Sequence, residues 1–243
     1  MKIQTHGENL VQLTRLPYIF PVNAYLVREE DGLTLVDAAL PGSGTSILAV
    51  ARQLGQPIRR IALTHAHLDH VGSLDQLHQA LPEAEILISA RDARFLAGER
   101  TLDPMESQGK LRGSFLTTET RPTRTLVPGE RVGSLQVVAA PGHTPGHLAF
   151  LDTRDGTLIA GDAFQTIAGL AVTGTVRLLF PFPAMGTWHK PTGLSSARAL
   201  RALEPRRLAV GHGAVLESPC AAMDRAIEEA KGAEAGEELK RAA

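Results

Sequence analysis

The stretch Thr64-His65-Ala66-His67-Leu68-Asp69-His70 places three histidines and a carboxylate within six residues. Imidazole and carboxylate are the donors that suit zinc, iron and manganese. The whole chain holds nine histidines, so a third of them concentrated here reads as a ligand cluster rather than a polar turn. Three more places carry the same residue types: Gly142-His143 with His147, Gly161-Asp162, and Gly211-His212-Gly213. Each follows an apolar run and stands beside glycine, which lets backbone approach closely. Four strand ends that converge on His, Asp and His side chains predict a metal centre.

The elements that must position these residues follow from periodicity. Arg59 to Thr64 reads as the strand that delivers the cluster, and Asp69 to Ala80 as the helix after it, with Val71, Leu74 and Leu77 at helical spacing. Ligand sites in α/β proteins gather beyond the carboxyl ends of strands. Upstream, Asn9 to Arg15 is an opening strand. Asn23 to Arg28 and Leu33 to Asp37 form a hairpin across Asp31-Gly32. Gly42 to Gly55 is a helix, Glu85 to Ser89 a strand, and Ala90 to Ala97 a short helix. Downstream, Arg131 to Ala139, Leu148 to Asp152, Thr157 to Ala160 and Leu208 to Val210 are strands. Gly193 to Leu203 is a helix, and Ala221 to Ala243 a terminal helix interrupted near Gly232 and Gly236. Residues 98–125 show no period, which predicts either a lid or a disordered surface insertion.

Composition narrows the class. Hydrophobic residues make up 43% and charged residues 21%, as in an ordinary globular protein. A formal net charge of −1 gives no global field for nucleic acid or an anionic membrane. No stretch reaches the roughly 18 apolar residues of a membrane span, and Met1 to His6 lacks the apolar core of a signal peptide. The single cysteine, Cys220, excludes an intramolecular disulfide and fits a cytoplasmic setting.

With these residues in view, the chain resembles the metallo-β-lactamase superfamily. His65, His67, Asp69 and His70 match its His-x-His-x-Asp-His signature, and His143, Asp162 and His212 match its later ligands. The resemblance runs from about residue 9 to 216 and implies a single domain of the four-layer αββα sandwich type. It implies that His65, His67 and His143 hold one divalent ion, that Asp69, His70 and His212 hold a second, and that Asp162 bridges them. Zinc is the expected metal, with manganese or iron as alternatives. The implied chemistry is hydrolysis by a metal-bridging hydroxide, with Asp69 orienting the nucleophile and carrying its proton to the leaving group. Asp37, Thr64 and His147 are expected to support the ligands.

Fold does not settle substrate. The filled position at Asp162 argues against a lactamase and places the chain nearest the lactonase and glyoxalase II-like branches, so a lactone or thioester is favoured. A mononuclear iron persulfide dioxygenase and a phosphodiesterase of the same fold are the alternatives. Tyr18, Phe20, Phe164, Phe182 and Trp188 are the expected substrate contacts, in an apolar, proline-stiffened setting. The competing expectation for Leu178 to Trp188 is that it packs a homodimer interface or covers the core. The expected partner is a small molecule.

Overall fold

A computed structural model describes the backbone of residues 1–242 and the side chains of residues 1–236. Two sheets form its centre. The first runs in the order β1 (Lys2–His6), β2 (Leu10–Arg15), β3 (Val22–Glu29), β4 (Gly32–Val36), β5 (Ile58–Ala62), β6 (Glu85–Ser89), β7 (Arg124–Leu126). It is antiparallel as far as β4 and parallel from β4 to β7. The second contains β8 (Arg131–Val132), β9 (Leu135–Ala139), β10 (Leu148–Asp152) and β11 (Thr157–Ile159). A two-stranded ribbon follows, β12 (Phe164–Gln165) with β13 (Ala171–Val172). Then β14 (Arg207–Ala209) joins β11 in parallel and β15 (Leu216–Glu217) closes that edge.

Strand alternation divides the interior into three apolar layers. In β3, Ala24 and Leu26 face the helices α1 (Gly44–Gln53), α2 (Leu68–Val71), α3 (Leu74–Ala80) and α4 (Ala90–Leu96), packing with Ile47, Leu74 and Phe95. Tyr25 and Val27 face the opposite way and meet Val137, Phe150 and Ile159 of the second sheet. Leu158 and Leu208 point outward from that sheet. The short helix α5 (Phe182–Gly186) lies outside this layer. Leu158 and Leu208 meet Leu194 and Leu200 of α6 (Lys190–Arg201) and Met223 and Ile227 of α7 (Cys220–Ala242). Full burial of each such large side chain contributes about 1.5–3 kcal/mol. Helix, sheet, sheet, helix is the four-layer αββα arrangement.

Several local expectations change. Lys2–His6 is a strand paired to β2, although its short polar sequence gave no strand signal. The helix expected over 69–80 breaks at Gly72-Ser73. There the Ser73 hydroxyl accepts from the Ser43 and Gly44 amides and donates to the Leu40 carbonyl, so a side chain takes over the local hydrogen bonding. The strand expected over 131–139 is a hairpin that turns at Gly133-Ser134. The terminal helix runs unbroken from Cys220 to Ala242, through both glycines, and Ala243 lies outside the described residues. Residues 98–125 include β7 at their end. Leu111, Phe115 and Leu116 from this segment pack against the first core. No described helix is long and apolar enough to cross a membrane.

Candidate metal centre

All seven ligand-type residues meet at one edge of the sandwich. His65, His67, Asp69 and His70 follow β5, His143 follows β9, Asp162 stands in the 3-10 turn after β11, and His212 follows β14. The donor atoms of His65, His67 and His143 lie within 4.8 Å of one another, as do those of Asp69, His70 and His212, and those of His65, His70 and Asp162. Asp162 stands between the groups. Its Oδ2 is 3.3 Å from His143 Nε2 and 3.2 Å from His212 Nε2, while Oδ1 is 3.4 Å from His70 Nε2. Gly211 makes this approach possible, because a Cβ there would stand 1.9 Å from Asp162 Oδ1.

Each histidine of these groups is held by one ring nitrogen, leaving the other turned to the centre. His70 Nδ1 donates to Asp37 Oδ2 at 2.8 Å. His212 Nδ1 donates to the Pro21 carbonyl at 2.8 Å. His65 Nδ1 meets the Thr64 hydroxyl, which in turn donates to Asp37. His143 Nδ1 meets the Thr173 hydroxyl, which hydrogen-bonds Thr187, and Thr187 donates to the Pro183 carbonyl. His67 is reversed: Nε2 donates to the Arg112 carbonyl at 3.0 Å, leaving Nδ1 turned inward, 2.9 Å from His143 Nε2. These partners fix tautomer and ring orientation, as ligand histidines require. His147 Nε2 accepts from the Asp162 amide at 3.0 Å and so holds the backbone of the central carboxylate. Asp37 keeps a positive φ of 64°, a conformation uncommon for any residue but glycine, and directs its carboxylate to Thr64 and His70.

The electrostatics divide the site. Burial pushes His65, His67 and His143 below the ordinary histidine range. Burial also opposes charge on His70, but Asp162, Asp37 and Asp69 outweigh it and hold its pKa well above normal. His212 is likewise opposed by burial and lifted to about 10 by Asp162 and Asp69. Burial raises Asp162, and the charges of His212, His70 and His143 overcome it to hold the carboxyl well below its usual range. His65 Nε2, His70 Nε2 and Asp162 Oδ1 are buried without a hydrogen-bond partner. Leaving such atoms unsatisfied is costly. A cation among them removes that cost, and the donor set fits divalent metal.

A cavity of about 470 Å³ opens over His67, Asp69, His143, Asp162 and His212. Phe20, Leu40, Leu68, Phe182, Pro183 and Met185 line it. Of the expected substrate contacts, Phe20 and Phe182 therefore face the centre. Tyr18 is 93% exposed at the tip of its loop. Phe164 does not reach the cavity. It is fully buried and packs under α6 and α7, because the strand it starts turns its ring into the core. Trp188 lines a neighbouring cavity with Arg112 and His189, while its amide donates to the His143 carbonyl.

Two supporting groups were missed in the sequence. Asp92, on α4, accepts from the Ala66 amide, the Thr144 hydroxyl and the Gly146 amide, tying the loop of His65 and His67 to the loop of His143. A carboxylate at the start of a short helix gives no signal of that role. The other is the Arg112 carbonyl on His67, a backbone group that no residue type announces. Gly113 beside it is obligatory, since a Cβ there would meet His67 Nε2 at 2.3 Å.

Comparison with known proteins agrees with this geometry. The chain is 50% identical over 228 residues to the uncharacterized protein YobT of Bacillus subtilis (strain 168), covering 93% of this chain and 98% of that one. It is 27% identical over 214 residues to the probable metallo-hydrolase YflN of the same organism, covering 79% and 80%. Among solved structures, the di-iron-bound form of TTHA1623 superposes with a TM-score of 0.64 at 27% identity, covering 87% of this chain and 96% of that one. The sequence profile described as the metallo-beta-lactamase superfamily matches residues 17–212, and the chain belongs to that superfamily.

Proposed function

We propose that this protein is a metallo-hydrolase that uses a pair of divalent ions to cleave an ester-like bond, a lactone or thioester, in a small molecule. The observation that carries this reading is the central position of Asp162, whose two oxygens face ligand histidines of both triads. His65, His67 and His143 would hold one ion, Asp69, His70 and His212 the other, with Asp162 between them. Bound there, the ions would supply Lewis acidity toward a carbonyl oxygen and toward water. TTHA1623 in its di-iron form supports a paired site and keeps iron beside zinc as a candidate metal.

The chain's own residues do the rest. Asp69 keeps a 21% exposed side chain at the cavity, whereas Asp162 is 3% exposed. Burial raises the Asp69 carboxyl, but His70 and His212 hold it below the usual range, so it is ionised at neutral pH and is a weak base that holds a proton only in passing. It is placed to accept that proton and return it to the leaving oxygen or sulfur. The apolar lining of the cavity favours an uncharged acyl group over a phosphodiester. The test is a panel of lactones, thioesters and phosphodiesters with chelated and then zinc-, manganese- or iron-reloaded protein. Metal-dependent cleavage of lactones or thioesters is expected. Turnover confined to phosphodiesters, or oxygen consumption with a persulfide, would overturn the assignment.

A further inference from the structure

Beyond the ligand cavity, the aromatic side chains form a path outward. Phe20 and Phe180 lie 5.4 and 5.5 Å from the His212 ring. Phe20 is 5.2 Å from Phe180 and 5.2 Å from Phe182, and Phe180 is 5.4 Å from Phe182. The three phenylalanines therefore make one apolar cluster that begins on a metal-ligand histidine. Two of them end exposed apolar pairs: Tyr18 and Ile19 precede Phe20, and Leu178 and Leu179 precede Phe180. Those four residues are 93%, 82%, 93% and 85% exposed. Large exposed apolar side chains that flank such an aromatic cluster mark something that binds there.

We propose that the acyl part of the substrate is a medium-length hydrocarbon chain, running from the metal centre over Phe20 and Phe182, which the buried Phe180 backs, toward the Ile19 and Leu178-Leu179 tips. This rests on the hydrolase reading and names its substrate class. The argument for this occupant is continuity: Phe20 and Phe182 line the same cavity as Asp69 and His212. A chain whose carbonyl sits at the centre meets Phe20, Phe182, Pro183 and Met185 along the cavity, and Ile19 directly precedes Phe20 in the chain. Each methylene transferred from water onto such a surface strengthens binding by about three- to fourfold.

The experiment uses zinc-loaded full-length protein. Binding of the straight-chain acids from butanoic to dodecanoic, the products of hydrolysis, is followed by calorimetry. The same series as p-nitrophenyl esters is followed by kcat/KM. Affinity and kcat/KM are expected to climb about three- to fourfold per methylene to at least decanoate. Ile19→Ser/Leu178→Ser/Leu179→Ser, all at exposed positions, is expected to lose that climb over the longer chains, measured against its own butanoate value. A flat or falling wild-type profile overturns the proposal. So does a wild-type dimer in sedimentation that the triple variant turns into monomer with the chain-length profile unaltered, since the tips would then join two copies. Chain-length-dependent binding with no turnover of any ester, lactone or thioester would sink the hydrolase reading and leave the acyl path standing. Turnover with a flat profile would do the reverse.

Discussion

Around His65, His67 and His143 the supporting groups are neutral: the hydroxyls of Thr64, Thr173 and Thr187 and the carbonyl of Arg112. Around His70 and His212 the carboxylates of Asp37, Asp69 and Asp162 gather. In the first triad burial, joined at His65 and His143 by the neighbouring histidines, outweighs the pull of Asp162 and disfavours protonation. In the second, the carboxylates favour protonation of His70 and His212 in the metal-free protein, so a bound cation would compete with protons there. The two also differ in what supports them. Asp37 belongs to the sheet, following β4, whereas Arg112 belongs to a long excursion between α4 and β7. His67 in the first half thus depends on a loop, and His70 in the second on the end of a sheet strand.

That difference can be broken in graded steps. The largest effect is expected from Asp162→Ala, which removes the carboxylate shared by both halves. Elemental analysis should show loss of bound metal from both, with kcat/KM down by more than about 100-fold. Retention of full metal content would show that Asp162 is not shared. Next, Asp37→Ala leaves His70 Nδ1 without its acceptor. The expected result is a 10- to 100-fold weaker second binding step in zinc titrations, the usual effect of losing such a partner, and a smaller loss in the first, because the Thr64 hydroxyl that meets His65 also donates to Asp37. Equal loss in both steps would contradict the division. Gly113→Ala should do the opposite, because its Cβ would displace His67 or the Arg112 carbonyl. About tenfold weakening of the first step alone is expected, visible as an altered cobalt(II) absorption spectrum.

A separate effect, on stability rather than on metal binding, concerns Asp92, the brace between the loops of the first triad. Burial lifts its carboxyl from 3.8 to about 6, against the pull of its three donors. The folded state thus prefers the protonated form. This contribution to stability is complete below pH 3.8 and is lost as the pH rises through about 6. The shift corresponds to about 3 kcal/mol. The stability of the wild type relative to Asp92→Asn should therefore fall by about that amount between pH 4 and pH 7 in urea unfolding of the metal-free protein. A constant difference over that range would show that burial does not govern this carboxyl.

The sequence displayed the donor side chains of the candidate centre and hid much of their support. His65, His67, Asp69, His70, His143, Asp162 and His212 were legible because each is a donor side chain beside glycine or at the end of an apolar strand. Asp37 and Thr64 were legible as neighbours of those ends. His67's acceptor was not, because a carbonyl belongs to every residue and only the folded path of 98–125 selects Arg112. Asp92 was hidden by its distance along the chain from the loops it joins. The layers could be anticipated from strand and helix alternation, but the break at Ser73 depends on a hydroxyl meeting the start of another helix. Phe164 looked like a cavity residue from its place after Asp162. Strand direction turned it into the core instead.

The most direct test of the paired centre is the metal content of freshly purified protein, measured beside that of Asp162→Ala. The account predicts about two divalent ions per chain in the wild type and a marked loss in the variant. One ion per chain in the wild type, unchanged by loss of Asp162, would contradict it.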